Sequence, residues 1–401
     1  MRWTSALLSL AAATFVSAQT DAERQRPVDT YSGVVIYQPP PNYTEPRTLY
    51  ARTLDIKENG KNIILSTWEN YLPNNNSFPY FPIYVSSDNG KSWKERSRLY
   101  DQVNGWGARY QPFLYELPEN QGRFKKGDIL LAGNFIPNDL SQTKIDIYVS
   151  QDKGRSWKFV SSVARGGEAI PNNGLTPVWE PFLYQYKGEL ICYYSDQRDF
   201  VNNGQKMVHQ TSKDLKTWGA IRNDVAYNNT EWRPGMPIVS KLPNGKFLLT
   251  YEFFGSVEGG FSVYTRLATD PRNFNEAEGR VLRATDGTVP RGSPYNVWTP
   301  VGGPNGTIIV SSGDAPEIFL NRGLAEPGST WEKVSVPSNT SYTRSLNILQ
   351  NDPRALLIVG GGLLPGQPGV ENNRVAATLW EVPSAPAGPK GYGKRATEFE
   401  A

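Results

Sequence analysis

Two glutamates stand where this sequence could do chemistry. Glu180 lies in "VWEPFLYQYKG" and Glu252 in "LLTYEFFG", each a lone carboxylate inside an aromatic and β-branched run that otherwise reads as a strand. Two carboxyl groups facing one pocket suit hydrolysis of a glycosidic bond, one as general acid on the leaving oxygen and the other as nucleophile or base. The aromatic neighbours Trp179, Tyr251 and Phe253 would desolvate such a pair and raise the acid's pKa. The plain alternative is two strand-end carboxylates paired with arginines. Other catalytic designs have little to work with: His209 is the single histidine and Cys192 the single cysteine, so a multi-histidine metal site and an internal disulfide are both ruled out.

The elements that must hold the two glutamates repeat along the chain. "SSDNGKSW", with Asp88 and Trp93, and "SQDKGRSW", with Asp152 and Trp157, are near copies. "SKDLKTW" around Asp214, "ATDPRNF" around Asp270 and "AEPGSTW" around Glu326 are weaker ones, and the five acidic positions lie 64, 62, 56 and 56 residues apart. The motif suits a hairpin turn in which Asp takes backbone N–H groups, Gly adopts positive φ and Trp folds back on the strands. These aspartates are therefore read as turn-holders, not as catalysts. Six apolar returning runs follow turn signals: "NIILSTWEN", "DILLAGNF", "ELICYYSD", "KFLLTYEFFG", "TIIVSSGD" and "ALLIVGGG". The expected fold is all-β, a six-bladed β-propeller of four-stranded antiparallel blades filling residues 19–385 as a single domain.

That fold decides where side chains meet. The start of each innermost strand and the end of the strand after it share one face of the disc. Glu180 heads the inner strand of the third blade, and Glu252 closes the second strand of the fourth, so both should open on one pocket. Arg52, Arg233 and Arg344 are placed at the heads of the first, fourth and sixth inner strands, Trp298 at that of the fifth, and Asp196 at the end of the third blade's second strand. With Trp179 and Tyr251 they form the expected substrate-binding set, through guanidinium hydrogen bonds and stacking of aromatic rings on sugar faces.

The first 18 residues, "MRWTSALLSLAAATFVSA", have the charge, apolar core and small-residue end of a secretory signal, so a secreted, extracellular protein is expected. Sequons at Asn42, Asn75, Asn228, Asn305 and Asn339 agree with that route. No later apolar run reaches membrane-spanning length, and residues 386–401 read as a flexible tail. A net charge of +3 over 42 basic and 39 acidic residues leaves no basic block for nucleic acid. A closed ring has no free sheet edge, which makes a monomer the expectation. No metal site and no cofactor are expected.

The Asp-box turns, the count of six, "VWEPFLY" and "LLTYEFFG" together resemble the fungal exo-1,5-α-L-arabinanases of glycoside hydrolase family 93, over nearly the whole chain after the signal. The resemblance implies a secreted enzyme acting on plant cell-wall arabinan or arabino-oligosaccharides, releasing arabinobiose from a chain end with retention of configuration. It also implies Glu180 as acid/base and Glu252 as nucleophile. "YLPNNNSF" and "FIPNDLSQ" are candidates for the wall that closes one end of an exo-acting pocket. A sialidase, whose substrate carboxylate three arginines clamp, is the runner-up, kept open by Arg52, Arg233 and Arg344, although the F-R-I-P signature is absent. A non-catalytic carbohydrate-binding propeller is the third reading.

Overall fold

The computed structural model describes residues 26–73 and 78–384. The signal at 1–18, the tail at 386–401 and the Asn75 sequon lie outside the described residues. Within them are six four-stranded antiparallel sheets arranged as a ring of blades. Innermost strands are Thr48–Glu58, Gly107–Glu116, Val178–Tyr186, Arg233–Lys241, Tyr295–Thr299 and Ser345–Ile348, and each packs against the next, the last against the first. The sixth blade is completed by the chain's N-terminal end: Tyr31–Tyr37 pairs antiparallel with Val375–Glu381, Tyr31 opposite Leu379.

Blade strands are apolar on both sides because each sheet is sandwiched between two others. All eight residues of Ile129–Ile136 are buried, and so are seven of the eight in Glu189–Asp196. Outer strands such as Lys94–Leu99 carry the charge. Between neighbouring blades the aromatic side chains interlock, with Phe113 against Phe182 at 4.6 Å and Tyr184 edge-on to Phe247 at 5.8 Å.

The repeated turns connect third to fourth strands. Ser86 Oγ donates to Asp88 Oδ1 (2.7 Å), which also accepts the Ser92 amide (3.0 Å), and Trp93 Nε1 donates to the Gly90 carbonyl (2.8 Å). The second copy repeats this around Asp152, with the Ser156 amide at 2.9 Å. In "SKDLKTW" the glycine is missing and Leu215 takes its left-handed conformation, φ 61°. In "AEPGSTW" the turn acceptor is Asn321, which takes the Gly323 and Ala325 amides, while Glu326 pairs with Lys246. By strand direction these turns lie on the face opposite the heads of the inner strands.

On the other face a feature recurs that the sequence does not announce. One non-glycine residue per blade, at or just before the head of the inner strand, has left-handed backbone: Tyr50 (φ 51°), Gln111 (57°), Glu180 (62°), Met236 (61°), Ser293 (39°) and Thr343 (55°). In the first four blades it sits in a β-bulge, between Leu49 and Arg52, Tyr110 and Phe113, Trp179 and Phe182, Gly235 and Ile238. Each such residue costs about 1–3 kcal/mol, which the surrounding ring must offset.

Candidate active site

The ring of bulges turns backbone amides toward the previous blade. Gln111 N–H donates to Glu69 Oε1 (2.9 Å), Glu180 N–H to Gln111 Oε1 (2.9 Å), Met236 N–H to Glu180 Oε2 (2.8 Å) and Ser293 N–H to Glu252 Oε2 (2.7 Å). Thr343 N–H continues the series to Ser293 Oγ at 3.3 Å. Strain in the backbone and placement of the carboxylates are therefore linked: at Gln111, Met236 and Ser293 the left-handed residue aims its N–H at an acid of the preceding blade, and at Glu180 and Thr343 at the Gln111 amide oxygen and the Ser293 hydroxyl.

Glu180 and Glu252 come together as expected. Gly235 is the cross-strand partner of Glu252, and a Cβ added to Gly235 would stand 3.4 Å from Glu180 Oε2, so the Glu180 carboxylate lies over the backbone directly opposite Glu252. Both are only 9% exposed and line one cavity of about 740 Å³. Their hydrogen bonding is unequal. Glu180 Oε2 accepts from Ser195 Oγ (2.6 Å) as well as from Met236, whereas among the described residues Glu252 has the Ser293 amide alone. Burial raises the Glu180 pKa, and the two donors together with Arg233 and Arg52 oppose the rise. Burial and then the neighbouring Glu180 charge push Glu252 up to about 8.

A third buried acid, Glu69, lines the same cavity and was not among the expected residues. It ends the second strand of the first blade as Glu252 ends that of the fourth: "TWEN" and "TYEF" occupy the same place in their returning runs, and aligning those runs would have found it. Gln111, Ser293, Arg291 and Tyr342 also line the cavity unanticipated. Gln111 and Ser293 enter it through their left-handed backbone, which residue type does not report.

Of the expected binding residues, Trp179 and Arg233 line the cavity. Trp179 Nε1 is tied to Gln197 Oε1 (2.9 Å), and Arg233 is held by the amide oxygens of Asn173 (2.6 Å) and Gln205 (3.2 Å), leaving its charge to act on both glutamates. The others are corrections. Arg52, past the bulge, is buried below, donating to the Ala51 and Thr343 carbonyls (both 3.0 Å) beneath the Tyr50 ring. Arg344 is fully buried with its guanidinium on the carbonyls of Ala315 and Glu317 (both 2.7 Å) and of Pro316 and Ser312. Asp196 is locked by Arg198 at 2.9 and 2.7 Å. Tyr251 alternates away from Glu252 into the blade core against Phe253 and Tyr264. Trp298 is fourth of five residues in its strand, at the far end, bonded to the Asn305 carbonyl. With Arg52 and Arg344 spent on backbone carbonyls, Arg233 and Arg291 are the arginines that line the cavity among the described residues, one short of a three-arginine clamp. Of the proposed walls, Tyr71 of "YLPNNNSF" lines the cavity while residues 74–77 lie outside the described residues, and "FIPNDLSQ" supports from behind, Leu140 O accepting the amide of the lining residue Ala169 (2.7 Å).

A propeller with two buried carboxyl groups facing one cavity has the acid pair that glycosidic hydrolysis uses. No family model matches the sequence, and no curated protein does. Among solved structures the chain is similar to the GH93 α-L-arabinofuranosidase of Fusarium graminearum in complex with arabinobiose, at 50% identity over 88% of this chain and 98% of that one, TM-score 0.84. It is also similar to an α-L-arabinanase of Penicillium chrysogenum complexed with arabinobiose, at 51% identity over 88% and 98%, TM-score 0.83. The chain belongs to glycoside hydrolase family 93. A sialidase of Streptococcus pneumoniae shares the fold at 11% identity over 86% of this chain and 70% of that one, TM-score 0.50.

Proposed function

We propose that the protein is a secreted, monomeric, retaining exo-1,5-α-L-arabinanase that releases arabinobiose from the end of linear arabinan. The observation that carries the chemistry is the facing of Glu180 and Glu252 across the backbone of Gly235 in one buried cavity. The substrate reading draws on family membership and on two relatives of half identity bound to arabinobiose. The signal and sequons of the sequence support export.

The hydrogen bonds favour a division of labour opposite to the one the family resemblance implied. Two donors on Glu180 Oε2 favour its anion and leave Oε1 to attack, whereas Glu252, with one donor among the described residues and a carboxylate beside it, is the better holder of the pair's proton. In the first step Glu180 Oε1 bonds to the anomeric carbon, the glycosidic C–O bond breaks, and the Glu252 proton passes to the departing oxygen. Esterified Glu180 no longer carries charge, so Glu252 becomes a stronger acid and remains as carboxylate. It then takes a proton from water, whose oxygen bonds the anomeric carbon from the vacated face as the ester bond breaks.

The test is to follow linear arabinan by ¹H NMR. Arabinobiose appearing first as the α-anomer is expected; a β-anomer overturns double displacement, and no product at all overturns the substrate reading. Azide then separates the roles. Glu180→Ala with azide should yield the inverted glycosyl azide and Glu252→Ala the retained one; the opposite pairing restores Glu180 as acid/base.

A further inference from the structure

The outer rim of the first blade carries a group of tyrosines away from the cavity. Tyr80 stands just before the third strand, Phe81–Ser86, and Tyr100 just after the fourth, Lys94–Leu99. Phe81 and Leu99 face each other across those strands, so Tyr80 and Tyr100 continue the ladder past its last pair, with ring centroids 5.0 Å apart. Tyr43, ahead of the inner strand, meets Tyr37 at the end of the N-terminal strand, their hydroxyls 3.1 Å apart, and Tyr37 lies edge-on to Tyr84 at 5.9 Å. By strand direction Tyr37, Tyr43, Tyr80 and Tyr100 all lie toward the cavity face, yet none of them lines the cavity.

Packing accounts for only part of this group. Side chains alternate along the third strand: Phe81, Ile83 and Val85 enter the core shared with the second blade, while Tyr84 turns the other way and joins Tyr37 against the core between the first and sixth blades. Tyr43, Tyr80 and Tyr100 belong to neither core, and Tyr100 is 47% exposed. The charges that act on Tyr80 and Tyr84 are those of Arg98 and Glu95, which pair with each other, the guanidinium lying 4.9 Å above the Tyr80 ring. The rings therefore meet no net charge there.

A ring left half in water suits a ligand that is itself half apolar. A neutral polysaccharide is one: its C–H faces lie on aromatic rings, its hydroxyls reach phenolic oxygens, and a surface with balanced charge favours it over an acidic polymer. The rim is also continuous with the cavity. Thr44, next to Tyr43, donates from its amide to the Tyr71 carbonyl (3.1 Å) and from Oγ1 to the Leu72 carbonyl (3.0 Å), and Tyr71 is a lining residue. Resting on the substrate reading above, we infer that Tyr43, Tyr80 and Tyr100 form a second polysaccharide site, a platform on the outer rim on which an internal stretch of neutral arabinan lies. Held there, the polymer presents its free ends to the cavity at a raised local concentration.

The test is native electrophoresis through gels containing linear arabinan, run with Glu252→Ala so that the polymer is not consumed, and with arabinobiose added to fill the cavity. Arabinan should slow the protein, arabinobiose should leave part of that retardation in place, and polygalacturonate should not slow it. Tyr100→Ala and Tyr43→Ala, added singly, should weaken the arabinobiose-resistant retardation about fivefold or more, whereas Tyr100→Trp, which keeps a ring, should not. Melting curves confirm folding, and if one alanine variant fails to fold the other decides. With Glu252 intact, Tyr100→Ala should keep kcat/KM on an aryl α-L-arabinobioside within about twofold and lower the rate on dilute arabinan about threefold or more. Retardation that arabinobiose abolishes, that both alanine variants retain in full, or that polygalacturonate matches overturns the inference. So does a dimer in sedimentation that Tyr100→Ala dissolves, which would make the patch a contact between copies. If wild type cleaves no arabinan but the retardation resists arabinobiose and is lost in Tyr100→Ala, the platform stands and only the turnover reading fails. Cleavage without such retardation overturns the platform and leaves the turnover reading in place.

Discussion

The two faces of the propeller use acids in opposite ways. On the turn face Asp152 accepts four hydrogen bonds, from the Ser150 and Ser156 hydroxyls and the Arg155 and Ser156 amides. Partial burial raises the Asp152 and Asp88 pKa values, but these donors outweigh it and hold both below the ordinary range. On the cavity face Glu180 has two donors and Glu252 one, both are nearly inaccessible, and both are pushed upward by burial first. A carboxylate saturated with donors is inert scaffolding; one left short of them can hold, give and take a proton. The repeated motif, the loudest signal in the chain, therefore marks the face opposite Glu180 and Glu252.

The sharpest way to break this contrast is to remove acids from each face. Glu180→Ala and Glu252→Ala should each lower kcat on arabinan by about 10³-fold or more, while Asp152→Ala leaves kcat within about twofold of wild type. Comparable losses on both faces would abolish the distinction. Stability should move the other way. Losing the buried Arg344 guanidinium, which satisfies four carbonyls, should cost about 3 kcal/mol or more, seen as a reduced urea midpoint for Arg344→Ala.

The acids of the cavity should also strain the fold as pH rises. Glu69 and Glu252 have folded-state pKa values of about 7 and about 8, above the glutamate reference of 4.5, with burial the leading cause in both. Folded chain therefore binds protons more tightly than unfolded chain, so their contribution is complete below about pH 4.5 and is lost as pH climbs through those folded values. Melting temperature should fall between pH 5 and pH 8.5. Glu252→Gln should flatten that fall and stabilise the protein by on the order of 1–3 kcal/mol at pH 8, at the expense of activity. A pH-independent difference between the two proteins would count against the buried-charge account. The smallest effect belongs to the turn face: Asp152→Ala should lower the melting temperature by about 2–4 °C.

The ring, its six units and the meeting of Glu180 with Glu252 were legible because they follow from periodicity and strand direction, which residue types report directly. The binding set was read less well, since placing a residue at a strand head does not say which way its side chain leaves. Arg52 and Arg344 were at the right heights but turned inward to carbonyls, and Tyr251 alternated to the other side of the strand that carries Glu252. Glu69 was visible in principle as the counterpart of Glu252. The left-handed bulges were not, because Tyr, Gln, Glu, Met, Ser and Thr occupy them and none advertises positive φ.

Joining Tyr31–Tyr37 to Val375–Glu381 has a consequence for how the molecule is born. Whatever order the blades assemble in, the earliest strand to leave the ribosome finds its partner only when the latest has been synthesised, so the wheel cannot shut until translation has passed residue 381. Until then an unpaired edge is carried at the front of a growing chain of sheets, and chaperones would have to shield it for most of the time synthesis takes.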